Sequence, residues 1–239
     1  MKIEIAVQDY AGAKVAKDEK ADRIELCVGL PLGGLTPTTG LAQRVTDIGI
    51  ETHALIRPRP GDFIYSDDEV QTMAADIKEL SAHCEGFVIG ALNPDSTVDA
   101  DAIKVLKEAA GDKELTFHRA FDQVKDPEAA ATELKELGFT RILTSGGHNS
   151  AIEGKDNLVK LKKEVSGIQV MAGGGIKIDD IKPLMDAGVD TIHLSAKTTK
   201  QSAAVSDNVT LGSADAGDTS YDVTDPKAVA EAVAKVHGS

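Results

Sequence analysis

The sequence predicts a single (β/α)8 barrel domain over residues 1–239, on three observations. Short apolar runs alternate eight times with amphipathic helical stretches, and strands alternating with helices imply parallel βαβ units. The length of 239 residues suits a fold that takes about 250 residues. Cap residues mark the helix boundaries at consistent places. The alternative assembly of the same units is an open doubly wound sheet.

The units run in order. KIEIAV (2–7) precedes DYAGAKVAKDE (9–19). DRIELC (22–27) precedes, after a long loop, GLAQRVTDI (40–48). ETHALIR (51–57) leads to SDDEVQTMAADIKELSAHC (66–84), and GFVIGAL (86–92) to DADAIKVLKEAAG (99–111). ELTFHR (114–119) is followed by DPEAAATELKELG (126–138), TRILTS (140–145) by NLVKLKKEVSG (157–167), and IQVMAG (168–173) by IDDIKPLMDAG (178–188). DTIHLSA (190–196) ends the strands. An irregular polar loop over residues 198–222, either mobile or disordered, is expected before the last helix, DPKAVAEAVAKV (225–236). Asp126 with Pro127 and Asp225 with Pro226 are N-cap-plus-N1 pairs. Gly111, Gly138 and Gly188 stand just past helix ends, where a left-handed residue is wanted.

Composition narrows the function. The net charge of −13 repels phosphate backbones and anionic lipid, which argues against nucleic acid and membrane surfaces as partners. No apolar run approaches a membrane span, and the first residues alternate rather than forming a leader's apolar stretch. Two cysteines without metal-finger spacing fit a cytoplasmic protein with reduced thiols. Aromatic residues are 3% of the chain and Trp is absent, so aliphatic side chains must fill the core.

Strand side chains alternate between faces. One set is apolar and should meet the helices: Ile3, Ile5, Val7, Ile24, Leu26, Ala54, Ile56, Leu115, Phe117, Ile168, Val170, Ile192 and Leu194. The other set should face the barrel axis: Glu4, Arg23, Glu25, Cys27, His53, Arg57, Thr116, His118, Gln169, Met171, Thr191, His193 and Ser195. A buried charge is costly unless paired, so Glu4 and Glu25 need Arg or His partners, and Arg23, Arg57 and Arg141 are available. Glu4, low on its strand, reads as part of a network that fixes register. A satisfied core histidine accounts for His53, and less fully for His193.

The C-terminal strand ends are the face where barrels carry their sites. The stretch LTFHRAFD (115–122) ends an apolar strand on His118, Arg119 and Asp122 there. RPRPGDFIYS (57–66) adds Arg57, Arg59 and Asp62. TSGGHNS follows the sixth strand with Ser145, and AGGGIK follows the seventh with Gly173, Gly174 and Gly175, whose bare N–H groups suit an oxyanion; tight-turn geometry is the other explanation of that triplet. Ser195 ends the eighth strand. This constellation is expected to hold a small anionic or sugar-like molecule. Glu25 or His118 would exchange protons, since His titrates near neutrality and a buried Glu can be tuned upward, and Asp122 would orient His118 or a substrate hydroxyl. Cys27 lies at this face. Cys84, at the opposite face, reads as a packing residue.

ADRIELC…GGLTP, IRPRPGDFIYSDDE, TFHRAFD, RILTSG and MAGGGI resemble, in this order, the signature segments of the CutC family of copper homeostasis proteins. The resemblance runs over residues 1–196 and returns at VTDP (223–226). It implies a (β/α)8 barrel, copper handling in the cytoplasm, and Cu(I) bound through two cysteines near the barrel mouth. Cys27 matches one of them. Ala6 stands where the second falls, so the remaining soft ligands are Met171 and His118 or His193. Asp207-Asn208 and Thr210-Leu211 stand where the family has Arg-Asn and Ser-Met.

Three readings are therefore open: a cytoplasmic copper-linked protein acting through Cys27, an acid–base enzyme with the constellation above, and a non-catalytic structural or regulatory protein. The family resemblance puts copper homeostasis first as a role, while the polar strand ends fit the enzyme. The expected partner is a small molecule or a metal ion, with self-association into a homo-oligomer left open.

Overall fold

Eight parallel strands close on themselves in chain order. The computed structural model describes residues 1–203 and 219–238. The strands are β1 (Lys2–Val7), β2 (Arg23–Leu26), β3 (Glu51–Leu55), β4 (Gly86–Ile89), β5 (Glu114–Phe117), β6 (Arg141–Thr144), β7 (Gln169–Gly173) and β8 (Thr191–Leu194). The helices are α1 (Tyr10–Asp18), α2 (Thr39–Thr46), α3 (Asp67–Leu80), α4 (Ala100–Ala110), α5 (Pro127–Glu136), α6 (Lys155–Glu164), α7 (Ile181–Asp186) and α8 (Pro226–His237). β1 pairs with β8, and Glu4 stands opposite both Arg23 and His193. The chain forms the (β/α)8 barrel expected from its sequence.

Local chemistry sets the helix ends. Asp126 accepts from Ala129 N at 3.1 Å, with Pro127 at the first helical position. Asp225 caps α8 in the same way, through Lys227 N at 3.0 Å. Ser66 and Glu69 form a reciprocal capping box on α3, which satisfies donors that a helix start leaves orphaned. Gly111 has positive φ as expected, but its ψ of −125° lies outside the left-handed helical region.

The strand alternation sorts the core as expected. Ile3, Ile5, Val7, Ile24, Leu26, Phe117, Val170 and Ile192 join the large apolar cluster between sheet and helices. The axis holds Glu4, Arg23, His53, Thr116, Arg141 and Thr191, all buried, and above them a small apolar patch of Cys27, Leu55 and Val88. Two glycines make room on the axis. A Cβ at Gly86 would stand 2.5 Å from His53 Cε1, and one at Gly90 2.5 Å from His118 Cε1.

The loop expected over residues 198–222 is ordered at both ends. β9 (Lys197–Gln201) and β10 (Ser220–Thr224) form an antiparallel ribbon, with Ser220 opposite Gln201 and Thr224 opposite Lys197. The β-rich Thr-Thr and Tyr-Asp-Val-Thr runs pair with each other because no barrel edge is left open to them. Residues 207–211, which depart from the family pattern, lie outside the described residues. No described helix is long and apolar enough to cross a membrane.

Candidate functional site at the barrel mouth

The C-terminal mouth encloses a hollow of about 220 Å³, walled by Glu25, Leu55, Arg57, Phe63, His118, Arg119, Leu143 and His193, with Leu32 and Gly33 at its edge. Period-two alternation puts Glu25, His118 and His193 there, on β2, just past β5 and on β8.

Each polar group has a distinct state. Glu4 is buried and held by both Arg23 and His193, whose Nδ1 lies 2.7 Å from Oε1. Burial would raise its pKa, but Arg23 and then His193 hold it well below the carboxylate range. His193 is disfavoured as a cation by burial, yet the charges of Glu25 and Glu4 outweigh this and raise it. Among the described residues Glu25 makes no ion pair within 4.0 Å. Burial pushes it up to about 7, with Glu4 adding to the rise and His193 and Arg23 opposing it. Its Oε2 is buried without a hydrogen-bond partner.

His118 is neutral. Burial, helped by Arg57, lowers it to about 3. Ala120 N donates to its Nδ1 at 3.2 Å, so the ring proton sits on Nε2. That Nε2–H is also buried and unpartnered. His118 is therefore a hydrogen-bond donor, not the general acid or base expected from its residue type. Phe63 packs on it at 4.8 Å between centroids. Arg57 crosses Phe63 at 5.2 Å and ties two loops together, donating to the carbonyls of Leu32, Gly34 and Gly61 at 2.8, 3.1 and 3.0 Å. Its Nε is a third buried atom without a partner at hydrogen-bond geometry among the described residues, as is the Tyr65 hydroxyl, which interacts with the Arg57 side chain from outside the hollow.

Several expected site residues are committed elsewhere. Asp122 does not reach His118. Its carboxylate takes Thr144 Oγ1 (2.5 Å), the backbone N–H groups of Ser145 (2.9 Å) and Gly147 (3.1 Å), and Arg119 Nε (2.7 Å), so it orders the loop after β6. Ser145 Oγ accepts from Arg119 Nη2 at 2.9 Å. Arg59 turns away to Glu69, Asp62 and Ile64 O, which leaves neither Arg59 nor Asp62 on the hollow. The glycine triplet is filled by the protein's own groups: a Cβ would meet Leu143 at Gly173, Arg119 at Gly174 and Ser150 at Gly175. Lys177 N beyond it already donates to Asp180 at 2.8 Å. Ser195 is half-buried past the end of β8.

Cys27 does not fit Cu(I). Its Sγ faces Val7 O at 3.6 Å among Leu55 and Val88. Burial, then the Glu25 charge, raises its pKa well above the thiol range, whereas the thiolate is the ligand. Met171 is occupied lower in the barrel, 3.7 Å from Arg23 Nη2. Arg23 stands four residues before Cys27 on β2, roughly 13 Å along the strand.

Two sets of carboxylate and imidazole atoms lie within 4.8 Å of one another among the described residues. In Glu4, Glu25 and His193, the Arg23 guanidinium already compensates Glu4. In Glu51, His53 and Glu114, at the opposite face, Arg141 Nη1 lies 3.3 Å from His53 Nδ1. Arginine only donates, so the His53 proton is on Nε2, facing Glu51 Oε1 at 3.4 Å. Both sets read as ion-pair lattices. A hollow of about 370 Å³ between α5 and α6 has both its lysines paired, Lys160 with Glu128 at 2.5 Å and Lys125 with Asp95 at 2.7 Å.

Glu4 is the residue that sequence reasoning read as structural only, and its contact with His193, there a candidate soft ligand, is the part of the site that reasoning missed. Their signal is the strand parity they share with Glu25, but it needs the β1–β8 register to become a contact.

A family model described as the CutC family matches residues 1–198. A Vibrio cholerae protein named for that family is 42% identical over 241 aligned residues, covering 97% of this chain and 94% of the relative. A human protein named copper homeostasis protein cutC homolog is 41% identical, covering 84% of this chain and 75% of its own length. A crystal structure of CutC from Streptococcus agalactiae superposes with a TM-score of 0.77 at 30% identity, over 82% of this chain and 98% of that one. A thiamine phosphate pyrophosphorylase from Pyrococcus furiosus, at 17% identity and a TM-score of 0.60, shares the fold alone.

Proposed function

This chain belongs to the CutC family, and from that premise we propose that it has a role in copper homeostasis, the role its human relative is named for, that it acts in the cytoplasm, and that it works through a small-molecule site at the barrel mouth. In that site Glu25 exchanges protons, His118 donates a hydrogen bond, and Arg57 and Arg119 favour a polar or anionic ligand. One observation carries the reading. Among the described residues five buried side-chain atoms have no hydrogen-bond partner, and three of them, Glu25 Oε2, Arg57 Nε and His118 Nε2, belong to side chains that wall one hollow. Buried polar groups are nearly always satisfied, and exceptions gather where function requires them. A carboxyl poised near 7 beside a neutral imidazole combines a group that can exchange protons with a fixed hydrogen-bond donor.

The test is a binding screen of small carboxylates, hydroxy acids and short sugars, read by the 15N signal of the His118 imidazole. A shift at Nε2 that disappears in Glu25→Gln or Arg57→Lys is the expected result. A screen in which no compound moves that signal sinks the reading.

Cu(I) at Cys27 is a second reading, supported by the names of relatives and opposed by the thiol's surroundings. An anaerobic Cu(I) competition titration should show no tight site that Cys27→Ser removes. One-to-one binding lost in that variant would favour the metal reading.

A further inference from the structure

Resting on the reading of the mouth as a metabolite site, we infer that its substrate is a small hydroxycarbonyl compound that loses a proton from the carbon beside its carbonyl, with Glu25 taking the proton and His118 Nε2–H holding the oxygen. The three unpartnered atoms differ in kind. Glu25 Oε2 accepts, whereas His118 Nε2–H and Arg57 Nε–H donate. A simple anion satisfies the two donors and is repelled by the Glu25 carboxylate. A simple cation satisfies Glu25 and is repelled by Arg57 and Arg119. One molecule suits all three if it presents oxygen acceptors at one end and a removable hydrogen at the other.

The hollow limits its size. About 220 Å³ is the share of roughly seven liquid waters, which suits two to four carbons with their oxygens. Drug-sized ligands need about 300–1,000 Å³.

The states of the two side chains match the step. The Glu25 carboxylate forms a bond to the proton as the C–H bond breaks. The C–H electron pair becomes a C=C bond, and the carbonyl π pair moves onto oxygen, giving an enediolate. His118 stays neutral and donates to that oxygen as its charge grows, without having to lose a cationic proton first. His118 is held for this by Ala120 N behind its ring and by Phe63 on its face. Return of the proton to the neighbouring carbon, with the hydroxyl proton moving to the enediolate oxygen, interconverts aldehyde and ketone forms. Return to the same carbon restores the substrate or its epimer. No oxidant, reductant or second substrate is consumed.

The probes are glycolaldehyde, dihydroxyacetone and erythrulose, each incubated with the protein in deuterated buffer and followed by proton NMR. Replacement of the carbon-bound hydrogen by deuterium, at least about a hundredfold faster than with Glu25→Gln, is the expected result for one or more of them, since a positioned base contributes about 10²–10⁴. His118→Phe should slow it by about 10²–10³, the worth of one donor to an oxyanion. Thermal melts of both variants establish that they fold, and Glu25→Asp serves where Glu25→Gln does not. Binding by saturation transfer without Glu25-dependent exchange overturns the proton-abstraction inference and leaves the metabolite site standing. Absence of both binding and exchange for all three probes overturns the hydroxycarbonyl class, and the wider binding screen then decides the site itself.

Discussion

His193 and Glu4 meet across the seam where β8 closes on β1, Nδ1 to Oε1 at 2.7 Å. The same carboxylate takes Arg23 on its other side. Arg23 from β2 and His193 from β8 thus share the buried oxygens of one β1 carboxylate, and Glu25 stands just above them.

Removing that carboxylate should unfold much of what it supports. Glu4→Ala leaves Arg23, whose side chain is 1% exposed, with only the partly exposed Glu51 carboxylate at 3.3 Å, and breaking one partner of a buried pair costs about 3–5 kcal/mol. Urea denaturation should show this loss near neutral pH. The Glu4 pKa is depressed in the fold, so its contribution is present above the unfolded value of 4.5 and lost as pH falls through the folded value. The gap between wild type and variant should therefore narrow in acid. A gap that stays constant to low pH would contradict the assignment.

Glu25 behaves in the opposite sense. Its folded pKa is raised from 4.5 to about 7, so its contribution is full below pH 4.5 and is lost as pH rises through 7. Above that the fold carries a buried, unpaired carboxylate at a cost of roughly 3 kcal/mol. Glu25→Gln should match wild type near pH 4 and exceed it in stability at pH 8. Equal stability at both pH values would show that Glu25 ionises as an exposed carboxylate does.

His118 should not titrate in the physiological range. Its pKa is lowered to about 3, and Ala120 N fixes the proton on Nε2. Imidazole 15N shifts between pH 5 and 8 should stay those of one neutral tautomer. A midpoint near 6.5 would restore it as an acid–base residue and remove it as a fixed donor.

Gly90→Ala tests the floor of the site. The new Cβ would come within 2.5 Å of His118 Cε1 and 2.6 Å of Nδ1, so the ring or the strand must move. Overpacking of this kind costs about 1–3 kcal/mol. Chemical denaturation should register that loss, and the His118 nitrogen signals should shift with it. Wild-type stability and an unmoved ring would mean that the hollow has slack where the structure shows contact.

Strand and helix order was legible because it depends on local signals: period-two runs, Asp-Pro caps and glycine stops. Parity along each strand also told which residues face the axis, including His118 and Glu25 at the mouth. What parity cannot tell is who meets whom across it. Glu4 and His193 are 189 residues apart, and their contact exists only in the closed register. Arg59 was legible as a cation near the mouth, but Glu69, ten residues on in the α3 capping box, captures it. The glycine triplet was legible as bare backbone, yet the group that comes close to Gly174 is this chain's own Arg119. Cys27 had the right parity for a ligand. Its neighbours Leu55 and Val88, brought in from β3 and β4, make it a packing thiol.

The ribbon of β9 and β10 gives the barrel a length-indifferent port. Its two strands leave and return side by side, and at its base Asp225 N donates to Ala196 O at 2.8 Å. The start of α8 is thereby referenced to the end of β8 and not to the count of residues between Gln201 and Ser220. Joining two ends already held together costs only about 0.6 kcal/mol more per doubling of the connecting length, so a change in the number of residues between Gln201 and Ser220 leaves the seam between β1 and β8 in register.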